Sequence, residues 1–289
     1  MNLKEKFNSD LCKKLFANSS NKITYILELE KILNTKFWIK KTTKPSILDE
    51  IIVKNWDYNL SKDIIRKLFL DNPKYQRWKE ADNVMSILIS EWKRLNLWDL
   101  EWPFSQWDFD NFVQRVNQLS DSWEIKDDKV KFAAVKFRRL KEINTLRNDF
   151  LETLIFESND NIIPTLNHRR WVDFFVDWLS FDQKVSRSVT NEFKKNHWED
   201  WKQEAINNPS KVAEYLYKYQ DEWRFWADER LLIVYLDENV SVNKIKQIIE
   251  ETNLDTPLEI NFSYTHSKWK PNETIKNYKV NCFCILLYS

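Results

Sequence analysis

The chain has 289 residues, 43% hydrophobic and 31% charged, with a formal net charge of +1. That length holds one large domain or two modest ones, each able to bury a core, and the near-neutral charge makes no electrostatic case for nucleic acid across the whole chain. No run approaches the roughly 18 apolar residues of a membrane helix, so no membrane association is expected.

The N-terminus, MNLKEKFNSD, has no apolar segment of the kind a signal peptide needs. Helix is expected over 22–33 (KITYILELEKIL), where Ile23, Ile26, Leu27 and Leu29 recur at mixed spacings of three and four, and again over 83–95 (NVMSILISEWKRL). Pro45 and Asn72-Pro73 mark breaks between them. The stretch 97–110 (LWDLEWPFSQWDFD) reads as loop, and 112–119 (FVQRVNQL) as a short helix. Around residue 135 the texture changes, dividing the chain into a mostly helical region, 1–134, and a second part, 135–289. The second part opens with a helix over about 135–157, with Leu146, Phe150 and Leu154 on one face and Glu152 off it. Strands are expected at 171–177 and 179–186, a charged helical section at 190–222, a strand at 230–236 and a helix at 242–251. Strands at 258–266 and 278–288 close the chain. This succession predicts an α+β or α/β fold in which a mixed sheet is flanked by helices. Cys282 and Cys284 alternate with Phe283 in the last strand. With Cys12 they are too few and too badly spaced for a disulfide framework or a zinc site, so buried thiols in a reducing, cytoplasmic compartment are expected.

The chain has 15 tryptophans and no glycine, where average usage of about 7% would give roughly twenty glycines. Asn55-Trp56-Asp57, Ser122-Trp123-Glu124, Asp177-Trp178 and Ser267-Lys268-Trp269-Lys270-Pro271 place the indole among turn formers, where glycine is the usual partner because it adopts φ > 0 without a Cβ penalty. UGA encodes tryptophan in one alternative genetic code and glycine in another. Abundant Lys, Asn and Ile fit an AT-rich gene, so each tryptophan is read as a turn glycine.

Between the strands at 171–177 and 179–186, Asp177-Trp178 reads as a two-residue turn, which Asp-Gly would favour. Antiparallel pairing then sets Val176 across from Leu179, Phe175 from Ser180, Phe174 from Phe181, and Asp173 from Asp182. By alternation, Val172, Phe174, Val176, Leu179, Phe181 and Val185 form a core face, and the other carries Asp173, Asp182 and Lys184. Directly opposed carboxylates lie about 5 Å apart and repel by roughly 3 kcal/mol at an effective dielectric near 20. A cation between them, or a proton on one, relieves this. Two oxygen ligands with open positions suit a magnesium ion that also takes phosphate oxygens and water. An edge hairpin with a surface salt bridge is the plainer alternative.

The acid–x–Lys tripeptide is weak by itself, recurring for example at Glu91-Trp92-Lys93 and Glu192-Phe193-Lys194. Only Asp182-Gln183-Lys184 sits in an apolar alternating strand across a turn from a second acid. In that setting the run resembles the active-site hairpin of the PD-(D/E)XK nuclease superfamily, in the form found among type II restriction endonucleases. The matching residues are Asp173, Asp182-Gln183-Lys184 and, on the preceding helix, Glu152. The resemblance covers about 145–289. It implies an αβββαβ-type catalytic core and a magnesium-dependent endonuclease acting on double-stranded DNA. Asp173, Asp182, Lys184 and Glu152 would be catalytic, with Asp173 and Asp182 holding the metal. No proline precedes Asp173, and Gln183 stands where many members have an apolar residue.

Several basic residues extend the expected DNA contact. From Lys129 to Arg147 there are seven basic residues and one acid, Glu142; Arg138, Arg139 and Lys141 are the candidate phosphate contacts, a solvated helix face being the alternative. Arg169 and Arg170 lead into the first strand of the hairpin and could also reach phosphates; neighbouring His168 is a weaker candidate base. Gln220, Arg224 and Arg230 lie just before and at the start of the strand at 230–236, where they could support the metal acids or the DNA. A restriction enzyme reading a palindrome implies a homodimer, with the region 1–134 serving recognition or dimerisation. A catalytically idle DNA-binding module and a structure-specific repair or recombination nuclease are the alternatives.

Overall fold

The structure is a computed structural model that describes residues 7–16, 18–71, 86–87, 90–91, 94, 106–169, 172–176, 179–219, 228–237, 240–264 and 276–289. The chain groups into two compact units, Met1–Gln76 with Leu154–Ser289, and Arg77–Thr153. Residues 134 and 135, on either side of the expected division, lie in one helix, Trp123–Ser158.

The first unit begins with four helices, α1 (Ser9–Leu15), α2 (Ser19–Leu33), α3 (Pro45–Lys54) and α4 (Tyr58–Leu70). Their starts follow from local chemistry. The side chains of Asn8, Asn18 and Asp57 accept backbone N–H groups of the first turns of α1, α2 and α4, and Pro45 opens α3, where its missing N–H costs nothing. Pro45 therefore begins a helix as well as breaking the chain before it. Leu15, Phe16, Tyr25, Ile26, Ile52 and Ile65 form the core of this layer. Within it, Lys22 pairs with Asp49, which also accepts from Cys12 Sγ at 3.3 Å. Burial first, and then the Asp49 charge, push the Cys12 thiol up to about 12.

In the second unit, α5 (Gln106–Asn117) starts inside the stretch expected to be loop. Helix α6 (Trp123–Ser158) runs on into the first unit. It begins well before residue 135 because neither proline nor glycine interrupts 123–158. Of the helix expected at 83–95, the described residues 86, 87, 90, 91 and 94 are helical, and the others lie outside the described residues.

The remaining elements are β1 (Ile162–Arg169), β2 (Val172–Val176), β3 (Leu179–Ser186), α7 (Asn191–His197), α8 (Trp201–Asn207), α9 (Pro209–Lys218), β4 (Arg230–Tyr235), α10 (Val242–Glu251), β5 (Leu258–Tyr264) and β6 (Lys276–Leu287). They build a mixed six-stranded sheet of order β1-β2-β3-β4-β6-β5. Strands β3, β4 and β6 run parallel, while β1/β2, β2/β3 and β5/β6 pair antiparallel. The fold is thus α+β with an open mixed sheet, as the element order predicts.

Strand β1 was not among the expected strands. It holds Pro164, which removes a ladder donor, and it lies at the sheet edge, where proline is tolerated. The N-terminal helices pack on this end of the sheet, with Ile163 of β1 and Phe175 of β2 inside their core. Two polar ties fix the contact. Asn21 Nδ2 donates to the Leu166 carbonyl at 2.8 Å, and the Arg66 guanidinium donates to the carbonyls of Asn159, Ile162 and Phe156 at 2.8–3.1 Å. At the other end, α7–α9 cover Leu232, Val234, Cys282, Ile260 and Phe262 with Phe193, Val212 and Tyr217.

Candidate active site

The hairpin has the expected register. Val176 pairs with Leu179, Phe175 with Ser180 and Phe174 with Phe181; Asp177 and Trp178 lie outside the described residues. Phe174 stacks on Phe181, which meets Phe283 of β6, so this face is core. Phe174, Val176 and Phe181 are buried, whereas Leu179 and Val185 are only partly so. The opposite face departs from a purely polar expectation. Phe175 projects there and is fully buried, because α1–α4 cover this end of the sheet.

Parallel pairing sets Asp182 beside Arg230, Lys184 beside Leu232, and Arg230 beside Cys282. Alternation therefore puts Asp173, Asp182, Lys184 and Arg230 on the face that carries Phe175 at one end and Leu232 and Cys282 at the other. The first of these apolar groups lies under α1–α4 and the second under α7–α9. The acids occupy the interval between two helical layers. Strand β3 also changes partner here: beyond Phe181 its described pairs are with β4, and the Asp182 N–H donates to the Glu229 carbonyl at 3.2 Å.

The acidic end is tightly organised. Gln183 N–H donates to Asp173 Oδ2 at 2.7 Å, and the charge of Asp182 bears on the Asp173 carboxyl. Lys184 Nζ lies 2.7 Å from Asp182 Oδ2, while its side chain remains 52% exposed. Thr165 Oγ1, from the unexpected strand β1, donates to the Asp173 carbonyl at 3.0 Å. Burial, opposed by the Gln183 N–H and reinforced by the Asp182 charge, raises the Asp173 carboxyl to about 6.

Arg230 is buried beneath the ring of Tyr217, with its guanidinium 5.5 Å from the ring centre, and the Tyr217 hydroxyl donates to the Asp228 carbonyl at 2.9 Å. It thus stands one strand from Asp182, at the expected end of β4. Nothing local in the sequence marks Thr165 or the Gln183 backbone as supports of Asp173; both depend on strand pairing.

Glu152 is on α6 and belongs to the unit Arg77–Thr153. It is buried, as are Asp149, Phe150, Leu151 and Ile155; burial all round this part of the helix replaces the single apolar face expected there. Arg138, Arg139 and Lys141 are exposed on the same helix. Glu142 lies 3.2 Å from Arg138 and 3.7 Å from Arg139, and Lys141 Nζ is 5.6 Å from the centre of the Phe137 ring. Arg169 ends β1, but its side chain and that of His168 lie outside the described residues, as do Arg170, Gln220 and Arg224 altogether.

No protein-family model, curated protein or solved structure matches this chain. Among the described residues, no group of three or more His, Cys, Asp or Glu is placed to hold a metal, and no helix is long and apolar enough to cross a membrane.

Proposed function

We propose that the chain is a metal-dependent endonuclease that hydrolyses phosphodiester bonds in double-stranded DNA, of the restriction type and acting as a homodimer. The observation that carries this reading is the acidic cluster between two helical layers, in which Asp173 accepts the N–H of Gln183, the residue next to Asp182, and Lys184 pairs with Asp182. The order of one helix, three antiparallel strands, further helices and a parallel fourth strand supports the same reading.

The donor set fits magnesium. Magnesium commonly takes only one or two carboxylates and fills its other positions with water and phosphate oxygens, so the pair Asp173 and Asp182 is sufficient. Burial and the neighbouring Asp182 charge raise the Asp173 carboxyl, and a divalent cation held by both acids would offset that cost. Once bound, the ion would supply Lewis-acid stabilisation of negative charge on the scissile phosphate. Asp173 and Asp182 would hold it, with Asp173 oriented by the Gln183 N–H and its backbone by Thr165. Lys184, half-exposed at the rim, would orient the attacking water and steady charge building on the phosphate.

The Lys184–Asp182 ion pair equally favours a second reading, in which this cluster is a staple within an idle DNA-binding module. Cleavage separates the two. Asp173→Asn, Asp182→Asn and Lys184→Ala should each reduce magnesium-dependent cleavage of duplex DNA by about a hundredfold or more, with folding and metal-free DNA binding retained. A protein that binds duplex DNA yet cuts none of a broad substrate panel with magnesium or manganese is the staple.

A further inference from the structure

Two exposed tryptophans have positive φ, the region of backbone space that favours glycine. Among the described residues, positive φ occurs at Asn34 (49°), Trp38 (54°) and Trp198 (41°). Asn34 needs no special account. It caps α2 in the left-handed region with its N–H on the Glu30 carbonyl, and asparagine is the usual substitute for glycine there. Trp198 follows α7, donates its N–H to the Lys194 carbonyl, and has φ 41° and ψ −121°. Those angles are close to the mirror image of the first central position of a type II turn, the type II′ basin, which glycine dominates because a Cβ collides with the backbone. An indole offers none of the local hydrogen bonding that lets asparagine tolerate positive φ.

Burial does not offset the conformation. Trp38 is 83% exposed and Trp198 72% exposed, although a tryptophan in a core buries on the order of 200 Å². Trp123, immediately after Ser122 at the start of α6, is 82% exposed. Tryptophan supplies 15 of 289 residues but two of the three described positions with positive φ. Exposed indoles can serve as stacking platforms for bases or partners, but a platform does not require the glycine region of backbone space. From these positions and the complete lack of glycine, we infer that the natural polypeptide carries glycine at positions 38 and 198. A shared UGA codon would extend the glycine to the other tryptophan positions.

Trp38→Gly, Trp198→Gly and Trp198→Ala in the full chain test the backbone argument by thermal denaturation. Each glycine variant should raise the melting temperature by about 2–4 °C. Trp198→Ala should recover at most a small part of that gain, because alanine keeps the Cβ that conflicts with positive φ. Equal gains for alanine and glycine, or a loss on introducing glycine, would overturn the conformational case. Peptide mass spectrometry of the protein from its source organism tests the residue directly. Glycine at 38 and 198, with UGA codons in the gene, is the expected result; tryptophan at those positions, or UGG codons, overturns the inference.

Discussion

Asparagine in place of Asp173 removes an ionisation that the fold resists. The Asp173 carboxyl moves from 3.8 to about 6 on folding, roughly two pH units, and each unit corresponds to about 1.4 kcal/mol. Below pH 4 the acid is protonated in both the folded and unfolded chains, so no penalty arises. As pH rises from 4 to 6 the unfolded chain ionises while the folded one keeps its proton, and stability falls. Above 6 the loss is complete, at an upper bound of about 3 kcal/mol; residual solvent contact brings it nearer 2 kcal/mol. The asparagine Oδ1 can still accept the Gln183 N–H that Asp173 accepts at 2.7 Å. Urea denaturation in EDTA at pH 4, 5, 6 and 7 should therefore show Asp173→Asn gaining about 2 kcal/mol on the parent between the extremes. Magnesium at pH 7 should stabilise the parent and leave the variant unchanged. A difference between the two proteins that stays constant from pH 4 to 7 would refute the raised carboxyl.

Joint neutralisation of Arg138, Arg139 and Lys141 should weaken binding to all duplex sequences and lower the slope of log affinity against log salt by up to about 2.7, the value for three lost phosphate contacts. Unchanged affinity at low salt, measured by fluorescence anisotropy, would return this part of α6 to a solvated face tied by Glu142. Asp49→Ala should cost about 3–5 kcal/mol, because it strands the buried ammonium of Lys22. Replacing Lys22 and Asp49 together by methionine and leucine should cost much less, and urea denaturation midpoints distinguish the two outcomes.

Local patterns determined much of the hairpin. Side chains on a strand alternate with period two, so the apolar run of 172–185 and its turn position were enough to bring Phe174 opposite Phe181 and Asp173 towards Asp182. The bounds of α10 and β4 were legible for the same reason, since their periodicities are carried by adjacent residues. Strand β1 was not, because Pro164 contradicts a strand until its edge position is known. Nor does the composition of α1–α4 disclose that they cover Phe175 and Ile163: many apolar helix faces can pack on a sheet, and the choice rests on contacts between distant residues such as Asn21–Leu166 and Arg66–Ile162. The same holds for Arg230, brought beside Asp182 only by parallel pairing of β3 and β4. Sequence alternation selected the acidic face. Tertiary packing decided that this face lies between two helical layers, where desolvation raises the Asp173 carboxyl.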